Sequence, residues 1–157
     1  MDKNIGDIYH LLLEIGWYFG NQGFEEECCE DLTLVEFMAL KHSYQDQEIS
    51  IQKIAESLNV TKSGASRIVD RLENKGYVRR ERSSVDGRVC CVPVTMQGIE
   101  KVSRILGSKT INMEEILRDL EPDQTELIRD ALQMLVKAIH QQETNQSSRI
   151  DRGGIIK

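Results

Sequence analysis

The chain has 157 residues, 39% hydrophobic and 29% charged, with a formal net charge of -6, which suits one soluble domain with a core of its own. Its apolar start, Ile8 to Phe19, is interrupted by Glu14 and lacks a basic leader and a small-residue cleavage site, so neither a signal peptide nor a membrane span is expected and a cytoplasmic protein is. There is no Gly-rich phosphate loop, nucleophile elbow or zinc-hydrolase motif, and His10, His42 and His140 are scattered, so an enzyme is not expected.

The first predicted helix runs from about Lys3 to Gly20, with apolar residues on more than one stripe, enough for one face on its own domain and another on a partner. A loop, Asn21 to Asp31, leads to a second helix over about Thr33 to Ser43 with Leu34, Phe37, Met38 and Leu40 inward. A short helix from Ser50 to Leu58 follows, and only Asn59-Val60 separates it from Thr61, an N-cap candidate. Beyond Thr61, Ala65, Ile68, Val69 and Leu72 form one apolar stripe. Steps of about 100° per residue place Ser63, Ser66, Arg67, Asp70 and Asn74 opposite, flanked by Lys62 and Arg71. Two short helices across so tight a turn predict a helix-turn-helix.

Gly76 stands where a left-handed C-terminal cap belongs. Tyr77 to Arg82 and Arg88 to Val94 then flank the polar turn Ser83 to Gly87, a β-hairpin with a basic rim. Thr95 is placed to cap a long helix to about Leu120, with a bend near Gly107-Ser108. Pro122 suits the first turn of a last helix to about His140, and the polar end, 143–157, is expected to be a flexible tail. The fold class predicted is mainly α with a small β-hairpin wing.

Charge is segregated along this plan. Ile51 to Arg104 holds 11 Lys and Arg against 6 Asp and Glu, a net of +5, and the rest holds 9 against 20, a net of -11. A basic stretch that coincides with a helix-turn-helix and hairpin is the footprint of nucleic-acid binding.

Two sets of residues resemble the MarR (multiple antibiotic resistance regulator) family of winged helix-turn-helix transcription factors. Asp86-Gly87-Arg88, followed by Val94-Thr95 and Gly98, is similar to that family's wing-tip motif and the helix start after it. Thr61-Lys62-Ser63 through Arg67, Asp70-Arg71-Leu72 and Lys75-Gly76 resembles its recognition helix. The resemblance implies one domain over 1–142, with the winged helix-turn-helix at about 32–95 and dimerisation helices at about 3–20 and 96–142. It also implies a homodimer on a pseudo-palindromic operator in double-stranded DNA, acting as a repressor released by an effector. Ser63, Ser66 and Arg67 would approach base edges, and Lys62 and Arg71 would hold phosphates. In the wing, Arg88 resembles the family's minor-groove arginine and Asp86 the carboxylate that orients it, with Arg82 nearest the tip. A winged helix turned to protein contacts is the alternative, and it has no need of a cationic wing tip.

The cysteines form two adjacent pairs. Cys28-Cys29 sits among Glu25, Glu26, Glu27, Glu30 and Asp31, whose charge raises thiol pKa, although a bound cation would offset this. Cys90-Cys91 lies on the second wing strand, where neighbouring residues face opposite ways, so one is expected in the core. Either pair is a candidate sensor of an oxidant, a soft metal or another thiol-reactive effector; no metal or cofactor is required by the sequence. The competing switch is a small molecule, which in the family sits between the dimerisation helices and the winged domain. Trp17, Tyr18 and Phe37 would line that crevice here, or else simply belong to the core.

Overall fold

The computed structural model describes residues 3–25 and 30–152, with side chains over 3–20 and 30–142. The elements, in order, are α1 (Lys3–Glu25), α2 (Leu34–Gln45), α3 (Ile51–Ser57), α4 (Lys62–Asn74), β1 (Glu81–Arg82), β2 (Cys90–Cys91), α5 (Met96–Ile116) and α6 (Pro122–Arg152). Residues 1–109 and 110–157 form two compact units, divided within α5.

In the first unit the core is built by α2 through the start of α5. Leu40, Ile54, Val69, Leu72, Val78, Val92 and Val102 are its largest fully buried apolar side chains. The predicted stripe of α4, Ala65, Ile68, Val69 and Leu72, is buried as a set. The starts of α2, α3 and α4 carry the caps their sequences offer: Glu36 N–H donates to Thr33 Oγ1 at 3.2 Å, Lys53 N–H to Ser50 Oγ at 3.2 Å, and Gly64 N–H to Thr61 Oγ1 at 3.1 Å.

Both helices of the helix-turn-helix end in the same way. Asn59, at φ 51°, takes the left-handed position after α3, and Val60 N–H reaches back to Ala55 O at 3.0 Å while Asn59 N–H meets Glu56 O at 3.2 Å. Gly76, at φ 78°, repeats the motif after α4, with Tyr77 N–H on Leu72 O at 3.0 Å and Gly76 N–H on Glu73 O at 2.9 Å. These are Schellman caps, which satisfy the last carbonyls and turn the chain sharply. Gly98 meets a different need: a Cβ there would lie 2.1 Å from Tyr77 O, so only glycine lets α5 approach the base of the wing so closely.

The hairpin ladder is shorter than the sequence predicts. Only Glu81 pairs with Cys91 and Arg82 with Cys90, with a separate bridge between Val78 and Val94. The strands are interrupted because other partners take their backbone groups: Arg80 N–H donates to Glu73 Oε1 at 2.9 Å, and Val92 N–H to Ile49 O at 2.9 Å. The second wing strand thus also bridges Ser50, just before α3.

Other boundaries shift as well. α1 continues to Glu25, and α5 remains one helix through Gly107-Ser108 and stops at Ile116 rather than Leu120. α6 extends to Arg152, past Ile139 at the end of the predicted apolar stripe and into the predicted tail. Gln141 to Ser148 contains neither Pro nor Gly and includes the good helix formers Gln and Glu, so polar composition there ends the apolar stripe without ending the helix.

Among the described residues, α1 contributes nothing to the core. Ten of its large apolar residues are exposed, Trp17 at 73% and Ile5 at 62% among them. In the second unit, α6 likewise exposes Leu127, Leu132, Met134, Val136 and Ile139. No helix among the described residues is long and apolar enough to cross a membrane.

Candidate nucleic-acid interface

Burying the apolar stripe of α4 turns Lys62, Ser63, Arg67 and Asn74 outward, all exposed. The two flanks of the helix between these faces are held by ion pairs of opposite polarity. On the α2 side, Glu36 is only 2% exposed and receives Arg71 Nε at 2.5 Å and Lys75 Nζ at 3.0 Å. Burial works against its charge, yet the bonds from Arg71, Thr33 N–H and Lys75 outweigh burial and hold its carboxyl below the ordinary range. On the wing side the charges are exchanged: Arg80 sends Nη2 to Asp70 at 2.6 Å and Nη1 to Glu73 at 2.6 Å, and Nη2 also donates to Ser66 O at 3.2 Å and Ser66 Oγ at 3.3 Å.

This arrangement redistributes the residues expected to meet DNA. Lys62, Ser63 and Arg67 stand exposed on the outer face. Ser66 does not join them: it is half-buried, and its hydroxyl is engaged by Arg80, because the helix places it 100° around from Arg67 and toward the wing. Arg71 is committed through Nε to a buried carboxylate, although its side chain is 51% exposed.

In the wing, Arg82, Asp86 and Arg88 are exposed. The bond between Asp86 and Arg88 runs to the backbone: Arg88 N–H donates to Asp86 Oδ1 at 3.0 Å. Asp86 therefore shapes the turn that carries Arg88. Ser83 Oγ accepts Val85 N–H at 3.2 Å and Asp86 N–H at 3.4 Å, and Val89 N–H closes on Asp86 O at 2.9 Å. Glu48, in the loop after α2, braces the turn by accepting from Ser84 Oγ at 3.2 Å and Ser83 Oγ at 3.4 Å. Arg79 is paired with Glu81, which separates it from Arg82 as a phosphate candidate.

Cys91 is the core member of its pair. It is 4% exposed, its thiol donates to Glu48 O at 3.2 Å, and burial raises its pKa, as does the nearby Glu48 carboxylate. Cys90 faces the other way, half-buried, at an open cavity of about 430 Å³ lined also by Arg80, Arg82 and Arg88. Among the described residues no group of three or more His, Cys, Asp or Glu is placed to hold a metal ion. Cys28 and Cys29 lie outside the described residues.

The three aromatic crevice candidates differ in burial. Phe37 is buried in the core, while Trp17 and Tyr18 are exposed on α1 at 73% and 45%. Phe37 belongs to the core cluster shared with α3 and α4, so its apolar surface is already used.

Sequence reasoning missed the groups that hold the head together. Thr33-x-x-Glu36 carries the signature of a capping box, and Thr33 N–H does return to Glu36 Oε2 at 3.1 Å, but nothing local announces that the same carboxylate also takes two cations from α4. A second polar junction joins the segment before α2 to α5. Lys101, 5% exposed, pairs with Glu30 and with Asp31 Oδ1 at 2.5 Å and lies 5.4 Å from the Tyr77 ring centroid, and Arg104 Nε meets Glu30 Oε1 at 2.7 Å. Tyr77 hydroxyl donates to Asp31 at 3.2 Å.

A helix-turn-helix whose second helix and adjoining hairpin both present exposed cations defines a winged-helix reading head. The sequence model of the MarR family matches residues 32–90, which span this head. A curated relative, the uncharacterised HTH-type transcriptional regulator YdgJ of Bacillus subtilis, is 28% identical over 110 residues, 70% of this chain and 67% of its own length. A solved MarR family protein from Bacillus stearothermophilus superposes with a TM-score of 0.79 at 17% identity, covering 89% of this chain and 99% of that one. A Staphylococcus aureus MepR mutant, solved bound to an oligodeoxyribonucleotide, superposes at 0.58 with 19% identity, over 84% of this chain and 97% of that one. Residues 32–90 thus match the MarR family model, and the chain is similar in sequence to HTH-type transcriptional regulators and in fold to solved MarR family proteins.

Proposed function

We propose that the chain binds a pseudo-palindromic operator as a homodimer and represses transcription until an effector releases it. The observation that carries this reading is the pairing of two cationic surfaces on one buried scaffold: Lys62 and Arg67 on the outer face of α4, and Arg82 and Arg88 on the wing. An arginine on a recognition helix can bond the paired acceptors of guanine, and one on a wing tip suits the narrower groove alongside. MepR, with the same fold, is a protein solved on an oligonucleotide.

Dimerisation is supported by α1 and α6, each of which leaves apolar residues uncovered. Ten large apolar residues on α1 exceed what an isolated helix keeps in water. A two-fold dimer would set two copies of α4 about one turn of DNA apart, near 34 Å. The effector reading divides between a small molecule and a thiol-reactive agent or soft metal, for which Cys28, Cys29 and Cys90 remain the candidates. Cys91 is withdrawn by its burial.

The test is selection of bound fragments from genomic DNA, followed by footprinting with and without reductant. Two protected half-sites related by a dyad, with two chains per site, are the expected result. A single asymmetric footprint, or none, overturns the reading. A footprint that changes with reductant directs the effector search to the cysteines, and substitution of Cys28 and Cys29 by Ser then separates that pair from Cys90.

A further inference from the structure

α4 is gripped on both flanks by residues outside it, and the two grips are complementary. Glu36 neutralises two cations of the helix, and Arg80 neutralises two of its acids. Each gripping residue bridges two positions a turn apart, Arg80 taking Asp70 and Glu73 within α4 and Glu36 taking Arg71 and the C-cap Lys75, so each resists rotation of the helix about its own axis. The roll of a recognition helix decides which side chains reach base edges, and a displacement of about 1 Å is enough to break a hydrogen bond. Left ungripped, Arg71 and Lys75 would be free to seek phosphates on one side while Asp70 and Glu73 repelled them on the other.

We propose that Glu36 and Arg80 are positioning residues for DNA recognition, fixing the roll of α4 so that Ser63 and Arg67 face the bases while Arg71 is kept from serving as a phosphate ligand. This rests on the DNA-binding reading above. It reassigns Arg71 from phosphate contact to scaffold, and Arg80 from the basic rim to a strut between wing and helix.

The role separates from a phosphate contact by the dependence of affinity on salt. Arg80→Lys keeps the charge, but an ammonium cannot span Asp70, Glu73 and the Ser66 carbonyl as a planar fork does. Glu36→Gln keeps the shape and releases two cations. Affinity of full-length protein for its selected operator and for unrelated DNA of equal length is measured over a series of salt concentrations, with circular dichroism to check folding. Arg80→Lys is expected to weaken operator binding about ten-fold with binding to unrelated DNA and the salt slope unchanged. Glu36→Gln is expected to steepen the salt slope and tighten binding to unrelated DNA while the preference for operator falls.

Arg80→Lys lies on a half-exposed site, so it decides the matter even where Glu36→Gln fails to fold. An Arg80→Lys variant with the wild-type preference overturns the inference, as does an Arg71→Ala variant whose slope falls by about one with operator preference intact. Wild-type protein that prefers no DNA overturns the functional reading, and this inference with it.

Discussion

The reading head and helix α1 belong to one compact unit yet use apolar residues in opposite ways. On α4 four apolar residues at helical spacing are all buried, and every flank has an assigned neighbour. On α1 apolar residues crowd more than one stripe and stay exposed. A helix with one narrow stripe can be satisfied by its own chain, whereas a helix apolar around much of its girth needs cover from elsewhere. The contrast separates what this chain covers by itself from what, under the proposed dimer, a second copy would cover.

Truncation of matched leucines is the strongest way to break that contrast. Leu72→Ala, at a fully buried site, should cost about 3 kcal/mol in urea unfolding. Leu11→Ala, at a side chain 58% exposed in the single chain, should change the stability of the isolated chain by less than about 0.5 kcal/mol. Its expected effect is weaker self-association in sedimentation. Equal losses at both sites would mean that α1 is part of the same core.

Gly98→Ala should destabilise by about 2 to 3 kcal/mol, since the added carbon would collide with the Tyr77 carbonyl and part α5 from the wing. Gly76→Ala is milder, about 1 kcal/mol, because the added carbon would meet only the flexible end of Gln97, at 3.0 Å from Oε1, which leaves the left-handed conformation at φ 78° as the main penalty. Both are read by thermal unfolding, and a reversed order would contradict the close approach of α5.

The smallest effect concerns acid. Bonds from Arg104, then Lys101, hold the Glu30 carboxyl at about 2 against an ordinary 4.5. A depressed acid stabilises fully above its unfolded value, so this contribution is complete above pH 4.5 and lost as the pH falls toward about 2. Over that window wild type should lose more stability than Glu30→Gln, and parallel curves would remove the junction from the account.

Much of this was legible in the chain itself. The stripe of α4, its cap at Thr61, the turn at Asn59-Val60 and the left-handed Gly76 each rest on interactions within a few residues, and local spacing reveals these. The wing could be placed but not measured, because its ladder is cut short by Glu73, on the preceding helix, and by Ile49, far back in the chain, and neither pairing shows in the spacing of the strands themselves. Glu36 and Arg80 were invisible for the same reason: Arg71 lies 35 positions from its partner, and a lone Arg on a strand reads as a surface cation. Ser66 was misplaced because a helical wheel shows which residues share a face but not which face a neighbouring hairpin will cover.

The central claim, that the outer face of α4 and the wing read DNA together, is tested most directly by titrating the purified chain with its own upstream DNA across a range of salt, alongside Arg88→Ala. Wild type should bind specifically with a steep salt dependence, from release of phosphate counterions, and Arg88→Ala should fold normally but lose most of that affinity. Binding that is indifferent to salt, or that survives the loss of Arg88 unchanged, would contradict the account.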